Sequence, residues 1–193
     1  TIQQTNLPSI DPSRRVLGVI RPTVECIGDL TQNRHVGILA TSGTIKSESY
    51  LLEIEKLFPD VTVTGEACPM WVPLVENNEY DSEGAKYFVQ KHIRQLLAKD
   101  PDIDTLILGC THYPLLIEKI RQFTPSHIRI VPQGEYVAQS LQNYFRRHPE
   151  MDNRCTKEGT CRFLTTESET KFEESASIFL QQEDIHVERI ILE

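Results

Sequence analysis

The fold is decided by the stretch Thr105-Leu106-Ile107-Leu108-Gly109-Cys110-Thr111-His112-Tyr113-Pro114, in which an apolar run ends at a glycine and a cysteine follows. The apolar run between Asp104 and Gly109 predicts a buried parallel strand, because such strands are hydrophobic on both faces. Open α/β sheets bind ligands beyond the carboxyl ends of their strands. We therefore expect Cys110 to lie on the floor of a crevice.

On both sides of this strand, apolar runs alternate with amphipathic stretches, which is typical of βαβ units around a mostly parallel sheet. The sequence therefore predicts the α/β class. Strands are predicted over Arg15–Ile20, His35–Ala40, Val61–Gly65, Thr105–Leu108, Ile128–Val131, Arg162–Thr166 and Val187–Leu192. Helices are predicted over Ile45–Phe58, Glu83–Ala98, Pro114–Phe123, Gly134–Arg147 and Glu169–Gln181, with a loop or short helix over Ala67–Glu76.

The domain boundary is predicted near Pro132-Gln133-Gly134, because the strands before it already complete a small four-stranded unit that contains Cys110. We expect a linker or a remnant of a first lobe over 1–15, a complete α/β lobe over 16–131, and a further part of the first α/β lobe over 132–193. The polar segment Arg146–Gly159 is predicted to be a surface loop.

Composition excludes several classes of protein. The chain has 193 residues, 39% of them hydrophobic, and a net charge of −8. An acidic chain with scattered Lys and Arg is a poor binder of nucleic acid, whose phosphates require clustered positive charge. No run approaches the ~18 apolar residues of a membrane span, and the first residues lack the features of a signal peptide. We expect no membrane association and a cytoplasmic location.

The five cysteines are odd in number and irregularly spaced, which favours free thiols in a reducing compartment. Cys155 and Cys161 lack a second pair and a nearby set of histidines, so we expect no zinc site there. A disulfide between these two residues is the weaker alternative.

Cys110 has a structural and a chemical interpretation. Free cysteines are mostly inert core residues, but Cys110 follows a strand end and lies two positions before His112. Backbone N–H groups at a helix start and a nearby imidazole both favour the thiolate, so we expect a lowered thiol pKa. His112 by itself would equally suit a helix cap.

Four other polar residues become candidate site residues only if they lie near Cys110. Glu76 ends an apolar segment, where a carboxylate is either solvated or placed in a cleft. Thr41, Ser42 and Thr44 form a hydroxyl-rich turn after a predicted strand. They would serve as ordinary helix caps or would hold the carboxylate of a small substrate.

Three segments of the chain resemble signature blocks of bacterial glutamate racemase in sequence, order and spacing. Related cofactor-independent racemases share the Gly-Cys-Thr core, but the run through His112, Tyr113 and the following leucines points to the glutamate enzyme. The likeness extends from about Val16 to Gly134 and more faintly to the C-terminus. The three segments are Gly37–Thr44, Ala67–Glu76 and Leu108–Leu116.

The resemblance implies an isomerase that needs no cofactor and no metal and that supplies D-glutamate for peptidoglycan. Inverting a carbon centre requires one group to remove the α-proton and another to deliver a proton to the opposite face. In the family these groups are two cysteines. The resemblance assigns one of them to Cys110, assistance to His112 and a supporting role to Glu76. It also assigns substrate contacts to Thr111 and His112, and it implies a homodimer.

The second catalytic cysteine of the family belongs to a Cys-Asn-Thr motif that this sequence does not contain. The resemblance therefore implies a fragment of a longer protein in which residues 132–193 return to a first lobe. We expect their strands to leave sheet edges exposed. Cys26 and Cys68 are the candidates for a replacement thiol, and we expect neither to face Cys110. Gln133 is a further departure, since the family more often has an acidic residue near that position.

Three alternatives stay open at this stage. An aspartate or hydantoin racemase would share the thiol but not Tyr113 and the leucines. A non-catalytic fragment would bind an amino acid or a partner without turnover. A cysteine hydrolase using Cys110 and His112 is weaker, because His112 need not meet the sulfur and no orienting acid is evident.

Overall fold

A computed structural model describes residues 6–192 of the chain. Residues 1–5 of the predicted N-terminal linker and Glu193 lie outside the described residues. Six strands occur within the described range: β1 His35–Ala40, β2 Thr62–Ala67, β3 Thr105–Leu108, β4 Arg129–Pro132, β5 Phe163–Thr165 and β6 Val187–Arg189.

The strands form two parallel sheets, which confirms the α/β class. One sheet has the order β2-β1-β3-β4, and all its neighbouring strands run parallel. The other is the parallel pair β5-β6. Within residues 6–192, β5 and β6 pair only with each other, and the expectation that another chain or further residues would have to cover their free edges stays a prediction.

Helices connect the strands, as parallel pairing requires. The α-helices are α1 Leu7–Ile10, α2 Ile20–Glu25, α3 Ile27–Leu30, α4 Ser42–Lys46, α5 Ser49–Leu57, α6 Trp71–Glu76, α7 Glu83–Lys99, α8 Ile117–Phe123, α9 Gln133–Arg147, α10 Pro149–Asp152 and α11 Glu169–Leu180. A 3₁₀ helix over Tyr113–Leu116 precedes α8. None of the described helices has the length and apolar character to cross a membrane.

The four-stranded sheet is covered on both faces, because side chains alternate along each strand. In β3, Leu106 and Leu108 pack on one face with α6, α7 and α8, while Ile107 packs on the other face with α2, α3 and α5. All four residues of β3 are buried. A rigid central strand therefore leads to Cys110.

The predicted loop over Arg146–Gly159 contains the end of α9 and the short helix α10. Two further predicted elements are wrong. Arg15–Ile20 is not a strand: residues 14–18 have no regular structure, Val16, Leu17 and Val19 are exposed, and α2 begins at Ile20. An apolar run forms a strand only where a neighbour completes its hydrogen bonds. The predicted helix over Ile45–Phe58 is two helices, α4 and α5, separated at Glu48, whose φ of 52° is left-handed.

The chain forms two compact units that divide between Gln142 and Asn143, within α9. The first part of α9 belongs to the larger unit, where Tyr136 packs against the core. In the smaller unit, α11 follows β5 and leads to β6, and a small cluster of Ala176, Ile185 and Val187 is buried. The division into 1–15, 16–131 and 132–193, with a returning lobe, stays a prediction.

Candidate active site

The order of the four-stranded sheet creates a topological switch point at the carboxyl ends of its strands. From β1 the chain moves outward to β2 and then crosses back to β3 on the other side of β1. Connections from β1 and β3 therefore leave in opposite directions, which is the topological switch point where α/β sheets bind ligands. The turn after β1 carries Thr41 and Thr44, and the turn after β3 carries Cys110.

Gly109 fixes the turn that presents Cys110. Its N–H donates to the Leu39 carbonyl across 2.8 Å, which continues the ladder beyond β3. A Cβ at Gly109 would lie 3.0 Å from the Ala40 Cβ and 3.2 Å from the Tyr50 ring. The absence of a side chain therefore lets β1, β3 and α5 meet closely at the residue before Cys110.

The structure brings together three predicted site residues. The Cys110 sulfur lies 3.7 Å from His112 Nδ1, and His112 Nε2 lies 3.2 Å from Glu76 Oε1. Cys110 is half-buried, the His112 side chain is 25% exposed and the Glu76 side chain is 59% exposed. The thiol and the imidazole are thus partly buried, and the carboxylate is the most exposed member of the cluster.

The expected lowering of the Cys110 pKa is wrong. Burial raises the pKa of this thiol, and the charge of Glu76 raises it further. Hydrogen bonds from the backbone N–H groups of His112 and Tyr113 oppose both effects but do not outweigh them. The sequence identified the stabilising N–H groups and gave no measure of how deeply the strand end buries the sulfur.

Glu76 is positioned by the aromatic packing of α6, whose last residue it is. Trp71 begins this helix, is fully buried, and packs on Tyr113 with 4.7 Å between the ring centroids. Tyr113 follows His112 and donates its hydroxyl to the Cys68 carbonyl across 3.4 Å. The pair therefore joins α6 to the 3₁₀ helix, and so places the carboxylate beside the imidazole.

Thr41 and Thr44 form the N-terminal cap of α4, which is one of the two roles that the sequence suggested for them. The Thr41 Oγ1 accepts from the Thr44 N–H across 3.3 Å and lies 3.0 Å from the Thr44 Oγ1. Both residues are partly exposed, and Thr111 on the neighbouring turn is exposed. Their roles in substrate binding stay predictions.

The other two thiols of the larger unit have structural surroundings. Cys68 is fully buried in the core, and burial strongly raises its pKa. Cys26 caps the end of α2, and its sulfur donates to the Pro22 carbonyl across 3.5 Å. Neither has the imidazole contact that Cys110 has among the contacts of the described residues.

One group of possible metal ligands occurs within residues 6–192, at the opposite edge of the sheet. His35, Asp100 and Asp102 each offer a ligand atom within 4.8 Å of the others. His35 Nδ1 already pairs with the Asp100 carboxylate across 3.0 Å, which raises the histidine pKa and lowers that of the aspartate. This cluster ties β1 to the end of α7.

Sequence reasoning missed two polar side chains that support the Cys110 turn. In the sequence Gln133 stands out only as a departure from the family pattern, and Tyr50 is only one residue of the predicted helix Ile45–Phe58. The Gln133 Nε2 donates to the Leu108 carbonyl across 2.9 Å. No local pattern reports such a contact, because it joins residues 25 positions apart.

The fold and the site define an α/β protein that presents a thiol, an imidazole and a carboxylate at a switch point, a set able to move protons. Two objections to a cysteine hydrolase arise from the sequence: His112 need not reach the sulfur, and no acid is evident there to orient His112. In the structure His112 contacts the sulfur, and Glu76 can orient the imidazole. Comparison with known families shows to which family the chain belongs. The sequence model of the Asp/Glu/hydantoin racemase family matches residues 14–140, and the chain belongs to this family.

Individual relatives narrow the comparison to glutamate racemases. The glutamate racemase of Streptococcus agalactiae serotype III is 39% identical over 180 residues, and that of Lactiplantibacillus plantarum is 35% identical over 190. The alignments cover 92% and 98% of this chain but 66% of each relative. The chain thus spans slightly less than two thirds of these relatives.

Solved structures agree with this assignment. A glutamate racemase isoform of Bacillus anthracis has a TM-score of 0.81 at 27% identity, covering 97% of this chain and 69% of that one. The glutamate racemase of Francisella tularensis, solved with D-glutamate, has a TM-score of 0.79 at 26% identity, covering 96% and 67%. The suspected resemblance to this family is confirmed.

Replacing Glu76 by glutamine is expected to lower the pKa of Cys110. The negative charge of Glu76 disfavours the thiolate, so its removal shifts the pH midpoint of Cys110 alkylation downward by roughly a few tenths of a unit. Because Glu76 is more than half exposed, the shift should shrink at about 1 M salt. Iodoacetamide labelling followed by peptide mass spectrometry gives the midpoint.

The matched control is Glu79→Gln, which removes the same charge from an exposed residue three positions further on. Its Cys110 midpoint should equal that of the unmodified chain. A Glu76→Gln midpoint that is unchanged or higher would contradict the geometry of the cluster.

Proposed function

We propose that this chain contributes the Cys110 half of a glutamate racemase, which interconverts L- and D-glutamate without a cofactor or a metal. The observation that carries the proposal is the 3.7 Å contact between the Cys110 sulfur and His112 Nδ1 at the switch point of the sheet. Membership of the racemase family and the glutamate racemases among its relatives support glutamate over aspartate or hydantoin.

In this proposal Cys110 transfers the α-proton on one face of the amino acid. The thiolate takes the proton from the α-carbon, whose electron pair stays on the substrate, and a second acid protonates the opposite face. His112 accepts or returns the thiol proton, and Glu76 holds the imidazole in place. The raised thiol pKa suits the reverse direction, in which Cys110 must hold a proton before it donates it.

Substrate contacts are proposed for the two turns that flank the switch point. Thr41 and Thr44 follow β1, whereas Thr111 and His112 follow β3, so together they border the space above the strand ends. Their hydroxyl and imidazole groups suit the carboxylates and the amino group of an amino acid. The Francisella relative was solved with D-glutamate, which supports a substrate of this class.

The proposal also extends to the setting of the reaction. Inversion requires a second acid/base, which in the family is the cysteine of the Cys-Asn-Thr motif that this sequence lacks. We therefore propose that the chain alone does not racemise glutamate. We also propose that the protein is located in the cytoplasm and forms a homodimer. Its D-glutamate would supply peptidoglycan synthesis, and so cell-wall formation and cell shape.

The test follows the α-hydrogen of glutamate in D₂O by NMR and the configuration by chiral chromatography. A single thiol returns a solvent deuteron to the face from which it took the proton. This chain should therefore exchange the α-hydrogen of one enantiomer with retention of configuration, while aspartate and hydantoins stay unexchanged. Faster exchange of aspartate or a hydantoin would contradict the choice of glutamate, and no exchange of any of them would favour a non-catalytic binding protein.

A further inference from the structure

We infer that Gln133, Tyr50 and Thr23 form an amide clasp that positions Cys110 by fixing the end of β3. None of the three is placed in contact with substrate, so they act through the backbone of the Cys110 turn. The inference deepens the proposed function and rests on it only for the meaning of Cys110 as an acid/base.

The clasp is centred on the side-chain amide of Gln133, the first residue of α9. Its Nε2 donates to the Leu108 carbonyl across 2.9 Å, and its Oε1 accepts from the Thr23 hydroxyl across 3.4 Å. The Tyr50 hydroxyl also hydrogen-bonds to the Gln133 side chain. One amide therefore ties α2 and α5 to the last residue of β3.

The Leu108 carbonyl needs this donor because of the strand beside it. In the parallel register of β3 and β4, Leu108 lies opposite Pro132, the last residue of β4, and the chain enters α9 at Gln133 instead of extending the ladder. A buried carbonyl without a partner costs about 1–3 kcal/mol. The glutamine supplies the missing donor at the strand end, two residues before Cys110.

Tyr50 closes the clasp from the other side of the turn. A Cβ on Gly109 would lie 3.2 Å from the Tyr50 ring, so the ring packs directly on the backbone between Leu108 and Cys110. Burial raises the pKa of the Tyr50 hydroxyl to about 12, and the hydroxyl keeps its proton at neutral pH. Thr23 and Tyr50 are buried and Gln133 is partly buried, so the clasp is largely shielded from solvent.

The clasp affects chemistry through the two backbone donors of the sulfur. The N–H groups of His112 and Tyr113 favour the thiolate of Cys110 only while the turn after Leu108 keeps its geometry. Loss of the clasp should weaken these hydrogen bonds and raise the thiol pKa further. The titratable groups that surround the sulfur are His112, Glu76, Tyr50, Cys68 and Tyr113.

The experiment measures the pH dependence of Cys110 alkylation in the variant Gln133→Met, which keeps the length of the side chain and removes its amide. We expect the midpoint to rise by about half a unit and the rate at pH 7.5 to fall about threefold. The exposed Cys155 and Cys161 serve as internal references and should react at unchanged rates. The matched control is Gln139→Met, an exposed position of the same helix.

A second variant keeps the inference testable if Gln133→Met does not fold. Tyr50→Phe retains the ring on Gly109 and removes only the hydroxyl, so we expect a smaller shift in the same direction. A midpoint equal to that of Gln139→Met, or a lower one, in a folded variant would overturn the clasp. The assay uses no glutamate, so this result is independent of whether the chain exchanges the α-hydrogen.

Discussion

Substitution of Cys110 by alanine is expected to reduce exchange of the glutamate α-hydrogen to the uncatalysed rate. The thiol is the proposed acid/base, and removal of a positioned group of this kind typically costs about 10²–10⁴ in rate. Cys110→Ser should be nearly as inactive, because a hydroxyl of similar size is a far weaker acid than a thiol. NMR in D₂O measures the loss directly.

The control for this experiment is Cys68→Ala. Cys68 is sealed in the core, and its sulfur donates only to the Glu66 carbonyl across 3.7 Å among the contacts of the described residues. We expect exchange to stay nearly intact once the small loss of packing is allowed for. Exchange that survives in Cys110→Ala, or that disappears in Cys68→Ala with the fold preserved, would refute the assignment of the thiol.

The second large effect is expected on the stability of the fold when Trp71 is replaced. Trp71→Ala should lower the free energy of unfolding by about 3–5 kcal/mol, because it removes a fully buried aromatic side chain and leaves a cavity. The cavity would open between α6 and the 3₁₀ helix, where Trp71 packs on Tyr113. Trp71 is the single tryptophan of the chain, so urea unfolding is followed by far-UV circular dichroism.

Trp71→Phe provides the comparison. Within residues 6–192, Trp71 Nε1 is the buried side-chain donor that lacks a hydrogen-bond partner. Phenylalanine keeps an aromatic ring on Tyr113 and removes this unsatisfied donor, which offsets part of the lost packing. We expect a loss of roughly 1–2 kcal/mol. Equal losses in the two variants would show that the ring contact contributes nothing to holding α6 in place.

Several local features of this fold follow from sequence pattern alone. The strand His35–Ala40 is predicted with its observed bounds, and the helix predicted over Glu83–Ala98 ends one residue later, at Lys99. Both elements are long apolar or amphipathic segments with clear ends, where local preference and burial agree. Arg15–Ile20 has the same apolar character but lacks a neighbouring strand, and so the strand predicted from its pattern does not form.

The candidate site, too, was predictable from the sequence only where its residues lie close together along the chain. Cys110 and His112 are two positions apart in the sequence, and their motif identifies the family. Glu76 is 36 positions from His112. The contact between these two side chains depends on the packing of Trp71, in α6, against Tyr113. The expected pKa shift of Cys110 had the wrong sign because burial is a property of the packed sheet and not of the motif.

The sequence by itself determined the α/β class, the strand that ends at Gly109, the thiol beyond it and the racemase family, because these depend on residue type and short spacing. Only the tertiary structure decided the order β2-β1-β3-β4, the contact of Glu76 with His112, the raised pKa of Cys110 and the amide clasp at Leu108. The physical reason is that hydrogen bonds and desolvation act between atoms that are close in space, whatever their separation along the chain.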